Sequence, residues 1–143
     1  MNDFFVQKVK DLRRKIPACR MNPLDRVSEL MRERSCSFSI KTVHPDAVAD
    51  IIKNLKNSKT CGVDNIDSFV LKLACEDLTP GITHIINLSI EHKHFPSLWK
   101  NSKVIPLFKK DEATNPKSYR PVSLLPISSK ILEKVVYQQM IQY

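Results

Sequence analysis

Six basic side chains lie within the 21 residues from position 100 to position 120. The same stretch contains two acidic residues, Asp111 and Glu112. The six are Lys100, Lys103, Lys109, Lys110, Lys117 and Arg120. A lysine and an arginine on adjacent strands form a good grip for a triphosphate, because lysine supplies a point charge and arginine a bidentate fork. Pro121 stiffens the backbone beside Arg120, which lowers the cost of ordering that grip. On the charges alone, a solvated hairpin whose cations prevent association at a sheet edge is the simpler interpretation.

The whole chain is basic and otherwise has the composition of an ordinary globular protein. Its 143 residues are 42% hydrophobic and 27% charged, with a net charge of +8. Residues 91–143 carry 9 Lys and Arg against 4 Asp and Glu, whereas residues 1–90 carry 14 against 11. An excess of cations in one part of a chain suits a polyanion such as nucleic acid or nucleotide phosphate. From charge alone, however, a role in solubility is the favoured interpretation.

The cysteines and histidines do not have the spacing of a metal site. The cysteines are Cys19, Cys36, Cys61 and Cys75. We expect them to be reduced, partly buried thiols of an intracellular protein of the cytoplasm, the nucleus or both. His92 and His94 are expected to form a surface pair rather than a zinc site. No apolar stretch is long enough for a signal peptide or a membrane span, so no membrane association is predicted.

Apolar residues at spacings of three and four predict most of the helices. Residues 3–16 are predicted to form an amphipathic helix that Pro17 ends, and residues 18–37 a linker with room for one short helix. Later helices are predicted to start at Pro45, at Ser68 as a cap, at Thr79 and Pro80, and at Ser128. Phe95 and Pro96 are expected to end the third of these.

Extended segments are predicted at residues 37–40, 103–108 and 119–125. The last is extended because prolines at 121 and 126 disfavour helix in the residue before them. The polar residues 109–118 then join the second and third segments as a β-hairpin. The predicted fold class is therefore α+β, with several helices around a β-hairpin.

A loop is predicted at residues 57–67. Gly62 would allow a positive φ there, and Asp64 and Asn65 favour turns.

Three segments together closely resemble the N-terminal part of the reverse transcriptase of non-LTR retrotransposons, the LINE or jockey-like group. They read GVDNIDSFVLKLA, FPSLWKNSKVIPLFKKDE and NPKSYRPVSLLPISSKILEKVV, and their order and spacing match the family over residues 57–136. The resemblance implies a partial reverse transcriptase domain at 41–143, with an N-terminal extension and fingers but without palm or thumb. Residues 1–40 are predicted to form an N-terminal helix and linker. Their first segment, MNDFFVQKVKDLRRKI, resembles the stretch that such elements place between their endonuclease and polymerase domains.

The resemblance also implies roles for particular residues. In this family the fingers hairpin closes over the incoming nucleotide, which assigns nucleotide binding to Lys109, Lys110 and Arg120. The sequence does not separate the two lysines, although Lys109 is favoured. The residues implied to lie near the template are Gly62, Asp64, Asn65 and Tyr119. For Asp64 a purely structural turn is an equal alternative, and for Trp99 core packing is favoured over stacking on a base.

The family's chemistry is phosphoryl transfer by two metal ions held by palm aspartates. No Asp-Asp pair occurs in this sequence. We therefore expect a fragment of an RNA-directed DNA polymerase that is catalytically incomplete alone, with no catalytic residue, metal ligand or cofactor of its own. The intact family enzyme is expected to require Mg²⁺.

The implied partners are an RNA or DNA template-primer and a deoxynucleotide triphosphate. Apolar surface that a palm would cover predicts self-association, and the face carrying Ile131, Leu132, Val135 and Val136 is the candidate. The alternative function is a non-catalytic nucleic-acid-binding or protein-interaction module derived from a retrotransposon.

Overall fold

The computed structural model describes residues 1–18, 22–32 and 37–143. These residues divide into two compact units. The first unit comprises Met1–Ser39 and Phe108–Arg120, and the second comprises Ile40–Leu107 and Pro121–Tyr143. Cys19 and Cys36, which were predicted to be reduced thiols, lie outside the described residues.

Helices and one β-hairpin make up the regular structure. In chain order the elements are α1 (Asn2–Lys15), α2 (Pro23–Met31), α3 (Pro45–Lys53), α4 (Ser68–Leu73), α5 (Cys75–Glu91), β1 (Lys103–Phe108), β2 (Tyr119–Leu124) and α6 (Ile127–Gln142). Short 3₁₀ turns occupy Ser97–Lys100 and Pro116–Ser118. The two strands pair as an antiparallel sheet, so the predicted α+β class is confirmed. No helix of the described residues has both the length and the apolar character needed to cross a membrane.

Helices α3 to α6 surround the hydrophobic core of the second unit. The buried apolar residues are Val48, Ile51 and Ile52 from α3, Leu71 from α4, Cys75, Ile82 and Ile86 from α5, and Ile127, Ile131, Leu132 and Val135 from α6. Burying one large aliphatic side chain contributes about 1.5–3 kcal/mol. These faces therefore hold the four helices together.

The first unit has little buried apolar surface. No hydrophobic side chain among its described residues is buried. The spacing on α1 predicted the helix correctly, but Val9, Leu12 and Ile16 remain 56%, 54% and 67% exposed. The rings of Phe4 and Phe5 meet edge to face with centroids 5.4 Å apart.

The cap of α4 differs from the prediction. Asp67, not Ser68, is the N-cap, and its carboxylate accepts a hydrogen bond of 2.8 Å from the Val70 N–H. Ser68 is buried, and its hydroxyl oxygen lies 2.9 Å from the Lys56 carbonyl and accepts a 2.8 Å bond from the Ser58 N–H. Ser68 therefore fastens the preceding loop instead of capping the helix.

Helix α5 starts one turn earlier than predicted and ends earlier too. It begins at Cys75, so Thr79 is not a cap: its hydroxyl donates to the Cys75 carbonyl inside the helix. Pro80 lies within the helix on its exposed side, where a missing N–H removes one backbone hydrogen bond near the first turn. The helix ends at Glu91, ahead of a residue with a φ of 51°, Lys93.

The predicted strand at residues 37–40 is absent, and the extended chain after it pairs with side chains instead of a strand. The Gln139 amide accepts from the Lys41 N–H at 2.8 Å and donates to the Lys41 carbonyl at 2.9 Å. The Asn87 amide does the same for Val43, at 2.9 and 3.0 Å. Two helix side chains therefore satisfy backbone groups that a neighbouring strand would otherwise pair.

The face of α6 that was predicted to be exposed is core. Ile131, Leu132 and Val135 are 0%, 3% and 2% exposed. They pack inside the second unit, so this face is not available for self-association. The apolar residues of α6 that are exposed are Tyr137, Met140 and Ile141.

Candidate nucleotide-binding hairpin

The hairpin has a well-defined register at its tip. The Lys109 N–H donates to the Ser118 carbonyl at 2.8 Å, which continues the strand pairing one residue past β1. The rings of Phe108 and Tyr119 meet with centroids 5.4 Å apart. Both contacts belong to one antiparallel register, in which Phe108 faces Tyr119 and Lys109 faces Ser118.

This register bears on which basic residues share a face of the hairpin. Side chains alternate between the two faces along a strand, so Arg120, which lies opposite Leu107 in this register, shares the face of Leu107. The Lys109 N–H bonds to the Ser118 carbonyl one residue past the end of β1. Continuing the alternation to that residue predicts that Lys109 shares the face of Leu107 and Arg120.

The cations of the hairpin tip are exposed and lack acidic partners. Lys109, Lys110, Lys117 and Arg120 are all exposed. None of them takes part in an ion pair within the part of the chain that the structure describes. Their charge is consequently free to attract an anion, although water and salt screen it.

The loop between the strands is held by its own side chains. Asn115 accepts a 3.0 Å bond from the Lys117 N–H, and the Tyr119 hydroxyl donates to the Ala113 carbonyl at 2.8 Å. Asp111 has a φ of 72°, in the left-handed region that favours glycine. Tyr119, whose ring also packs against Phe108, thus shapes the hairpin, and its proximity to a template stays a prediction.

The loop at residues 57–67 belongs to the second unit. A positive φ was predicted to explain the glycine at position 62, but the structure gives another explanation. Its φ is not positive; the positive φ of 57° belongs to Asn65. A β-carbon on Gly62 would lie 2.6 Å from the Pro126 nitrogen and 2.8 Å from the Leu125 carbonyl carbon. Glycine is required because the two backbones touch.

Asp64 and Asn65 form a turn beside that contact. The Asn65 N–H donates to the Gly62 carbonyl at 3.3 Å, and the Asp64 carboxylate accepts from the Ile66 N–H at 3.4 Å. These bonds give both residues a structural role. Their placement near a template stays a prediction.

Comparison with known proteins agrees with the motifs. The chain is 28% identical over 106 residues to the RNA-directed DNA polymerase from mobile element jockey of Drosophila melanogaster. This match covers 73% of the present chain and 12% of that relative. The probable RNA-directed DNA polymerases from transposon BS and transposon X-element of the same organism are 30% and 31% identical over 101 and 109 residues. These matches cover 70% and 76% of this chain, and 11% and 12% of those relatives. No protein-family model matches.

The chain matches a segment of jockey-like retrotransposon reverse transcriptases. It spans only about an eighth of the length of the jockey relative. The resemblance predicted from the three sequence segments is therefore confirmed. It does not decide the roles of individual residues of this chain.

Clusters of metal-binding side chains are absent from the described part of this chain. Within residues 1–18, 22–32 and 37–143, no three His, Cys, Asp or Glu side chains could hold a metal ion. His92 and His94 are exposed, as predicted, and Cys61 and Cys75 are free thiols. We therefore assign no metal ligand among the described residues.

The family motif F-P-x-x-W-K supplies core contacts. Trp99 is partly buried against the core of the second unit, and its ring meets that of Phe95 edge to face at 6.4 Å. Core packing was the favoured interpretation of Trp99, and it is confirmed. The close approach at Gly62 was missed, because no local signal reveals a contact with residues more than sixty positions away.

Proposed function

We propose that this chain forms part of the fingers of a retrotransposon RNA-directed DNA polymerase, and that its β-hairpin grips the triphosphate of the incoming deoxynucleotide. The observation that carries the proposal is the backbone bond from Lys109 to Ser118, which holds Lys109 beside the chain segment that carries Arg120. Both cations are exposed, and neither has an acidic partner in the described residues. The similarity to RNA-directed DNA polymerases supplies the reaction class.

The two cations have different tasks in this proposal. The Arg120 guanidinium presents a planar fork that can donate two parallel hydrogen bonds to phosphate oxygens. Lys109 adds a point charge from the neighbouring strand. Lys109 is a better candidate than Lys110 because its N–H is paired across the hairpin with the Ser118 carbonyl. Pro121 restricts the backbone of Arg120, the residue before it.

The chain is catalytically incomplete in this proposal. Two-metal phosphoryl transfer needs carboxylates that hold both ions. The described residues offer no such cluster, so those carboxylates and the Mg²⁺ ions belong to other parts of the polymerase. Gly62, Asp64 and Asn65 are proposed to form part of the extension on the template side, with a template-primer of RNA or DNA as the partner.

Binding of a fluorescently labelled deoxynucleotide triphosphate tests the hairpin assignment. Arg120→Lys keeps the charge but removes the fork, so we expect it to weaken binding. Because Arg120 is exposed, Arg120→Ala should cost about 1 kcal/mol, or about fivefold in Kd. Lys109→Ala should weaken binding more than Lys110→Ala.

The matched control is Lys41→Ala, which removes an exposed lysine of the second unit. It should bind the nucleotide like the wild type. If Arg120→Lys binds as tightly as the wild type, or if Lys41→Ala loses as much as Arg120→Ala, the hairpin is only a basic surface and the assignment is wrong.

A further inference from the structure

A second basic site lies in the second unit, between α3 and α6. It is an open groove of about 550 Å³ whose apolar floor includes Ile51 and Leu55. The polar residues that line it are Asp50, Asn54, Lys56, Lys130, Lys134 and Gln138. Three lysines against one carboxylate leave this lysine groove with a net charge of +2.

Polar side chains of the lysine groove, two of them cationic, follow a regular line. Lys130, Lys134 and Gln138 are exposed and recur every four residues along one side of α6. At 1.5 Å per residue they are spaced by about 6 Å along the helix axis, and the line is about 12 Å long. Lys56, which follows α3, adds a cation from the other wall. One line of donors suits one strand of a polyanion.

The charges of the lysine groove are not neutralised within the protein. Among the residues that the structure describes, Lys56, Lys130 and Lys134 form no ion pair, and Asp50 forms none either. The Lys134 ammonium lies 5.2 Å from the centre of the Tyr137 ring, which limits its range of positions and leaves its charge exposed. Glu133, the neighbouring acid on α6, does not line the groove.

We propose that the lysine groove binds the phosphate backbone of a single strand of nucleic acid. The lysines contact successive phosphates, and the Gln138 amide offers a further hydrogen bond to the backbone or sugar. The groove shares no residue with the hairpin, and it binds without base specificity. The choice of nucleic acid over another polyanion rests on the proposed polymerase function.

Salt dependence of RNA binding tests the lysine groove. A labelled single-stranded oligouridylate is titrated with the full chain at several salt concentrations, and log K is plotted against log salt. Each phosphate contact contributes about 0.7 to the slope for a single strand. Lys130→Gln/Lys134→Gln should therefore bind more weakly and reduce the slope by about 1.4.

The control is Lys41→Gln/Lys93→Gln, which removes two exposed lysines of the same unit that do not line the groove. It should leave the slope nearly unchanged. Equal slope losses in the two double variants, or an unchanged slope in Lys130→Gln/Lys134→Gln, would overturn the proposal, as would a wild-type chain that does not bind the RNA. Displacement of the RNA by polyglutamate as readily as by unlabelled RNA of equal charge would overturn the choice of nucleic acid.

The outcomes separate the two proposals. If the groove variant loses RNA affinity while Arg120→Lys binds the nucleotide normally, the groove is supported and the hairpin assignment fails. If Arg120→Lys weakens nucleotide binding while the groove variant binds RNA normally, the groove fails and the hairpin assignment stands.

Discussion

Gly62 lies where the backbone of one loop touches the backbone that leads into α6. A β-carbon there would come within 2.6 Å of the Pro126 nitrogen, and backbone cannot swing aside as a long side chain can. The other glycine of the chain, Gly81 in α5, has nothing within 4 Å of the corresponding position. The two glycines therefore respond in opposite ways to the same added methyl group.

We expect Gly62→Ala to lower the free energy of unfolding by about 1–3 kcal/mol, the usual cost of overpacking. Gly81→Ala should raise it by about 0.5–1 kcal/mol, because alanine is the better residue inside a helix. Urea unfolding of the full chain measures both. An unchanged midpoint for Gly62→Ala would mean that the loop moves away from Pro126 at little cost.

The sequence could identify Gly62 as special but not say why. Its neighbours Asp64 and Asn65 are turn formers, so a positive φ at the glycine was the natural hypothesis. The structure gives the positive φ to Asn65 instead. A local sequence pattern can predict a turn. It cannot predict that the backbone of Gly62 contacts the backbone of Leu125 and Pro126, which lie far along the chain.

Among the elements, α4 is short and depends on its cap. Six residues form few internal hydrogen bonds, so the bond from the Val70 N–H to Asp67 matters more than in a long helix. Ser68 was predicted to be the cap, but its hydroxyl forms hydrogen bonds with the backbone of Lys56 and Ser58 in the preceding loop. Adjacent residues thus stabilise two different segments.

We expect Asp67→Ala to cost about 1 kcal/mol of stability through loss of the cap, and Asp67→Asn to keep most of it, since asparagine caps equally well. Chemical unfolding monitored by circular dichroism compares the two variants. A loss in Asp67→Asn as large as in Asp67→Ala would show that the charge, rather than the cap, is what stabilises α4.

Element prediction succeeded where one face of a helix is buried and failed where partners are remote. The apolar spacing of α3 and the paired runs of β1 and β2 were predicted correctly. The start of α5 was misplaced because proline is favoured in a first turn, yet Pro80 is tolerated one turn later on the exposed side. The strand at 37–40 was wrong because an extended chain becomes a strand only beside another strand.

At the scale of the whole molecule, the proposed function predicts that the chain alone does not extend a primer. Its sequence has no Asp-Asp pair, and its described residues form no metal-binding cluster. The measurement is incorporation of labelled deoxynucleotides on an RNA template with Mg²⁺, with an active reverse transcriptase as positive control. Incorporation that copurifies with the chain through successive columns would contradict the proposal.

The candidate site was predictable in part from the sequence. The basic hairpin and its resemblance to the polymerase family selected Lys109, Lys110 and Arg120. The preference for Lys109 over Lys110 stays a prediction. The lysine groove was not predicted, because Lys56 and Lys130 approach each other only through the packing of α3 against α6.

The side-chain amides that hold residues 41 and 43 also set an order of events during synthesis. Asn87 follows Val43 by 44 residues, whereas Gln139 follows Lys41 by 98 residues. At roughly 5–20 residues per second, a ribosome delivers Gln139 about 5–20 s after Lys41, and Asn87 reaches Val43 in less than half that time. The backbone of Val43 can therefore form its hydrogen bonds with Asn87 before Gln139, the partner of Lys41, has been synthesised.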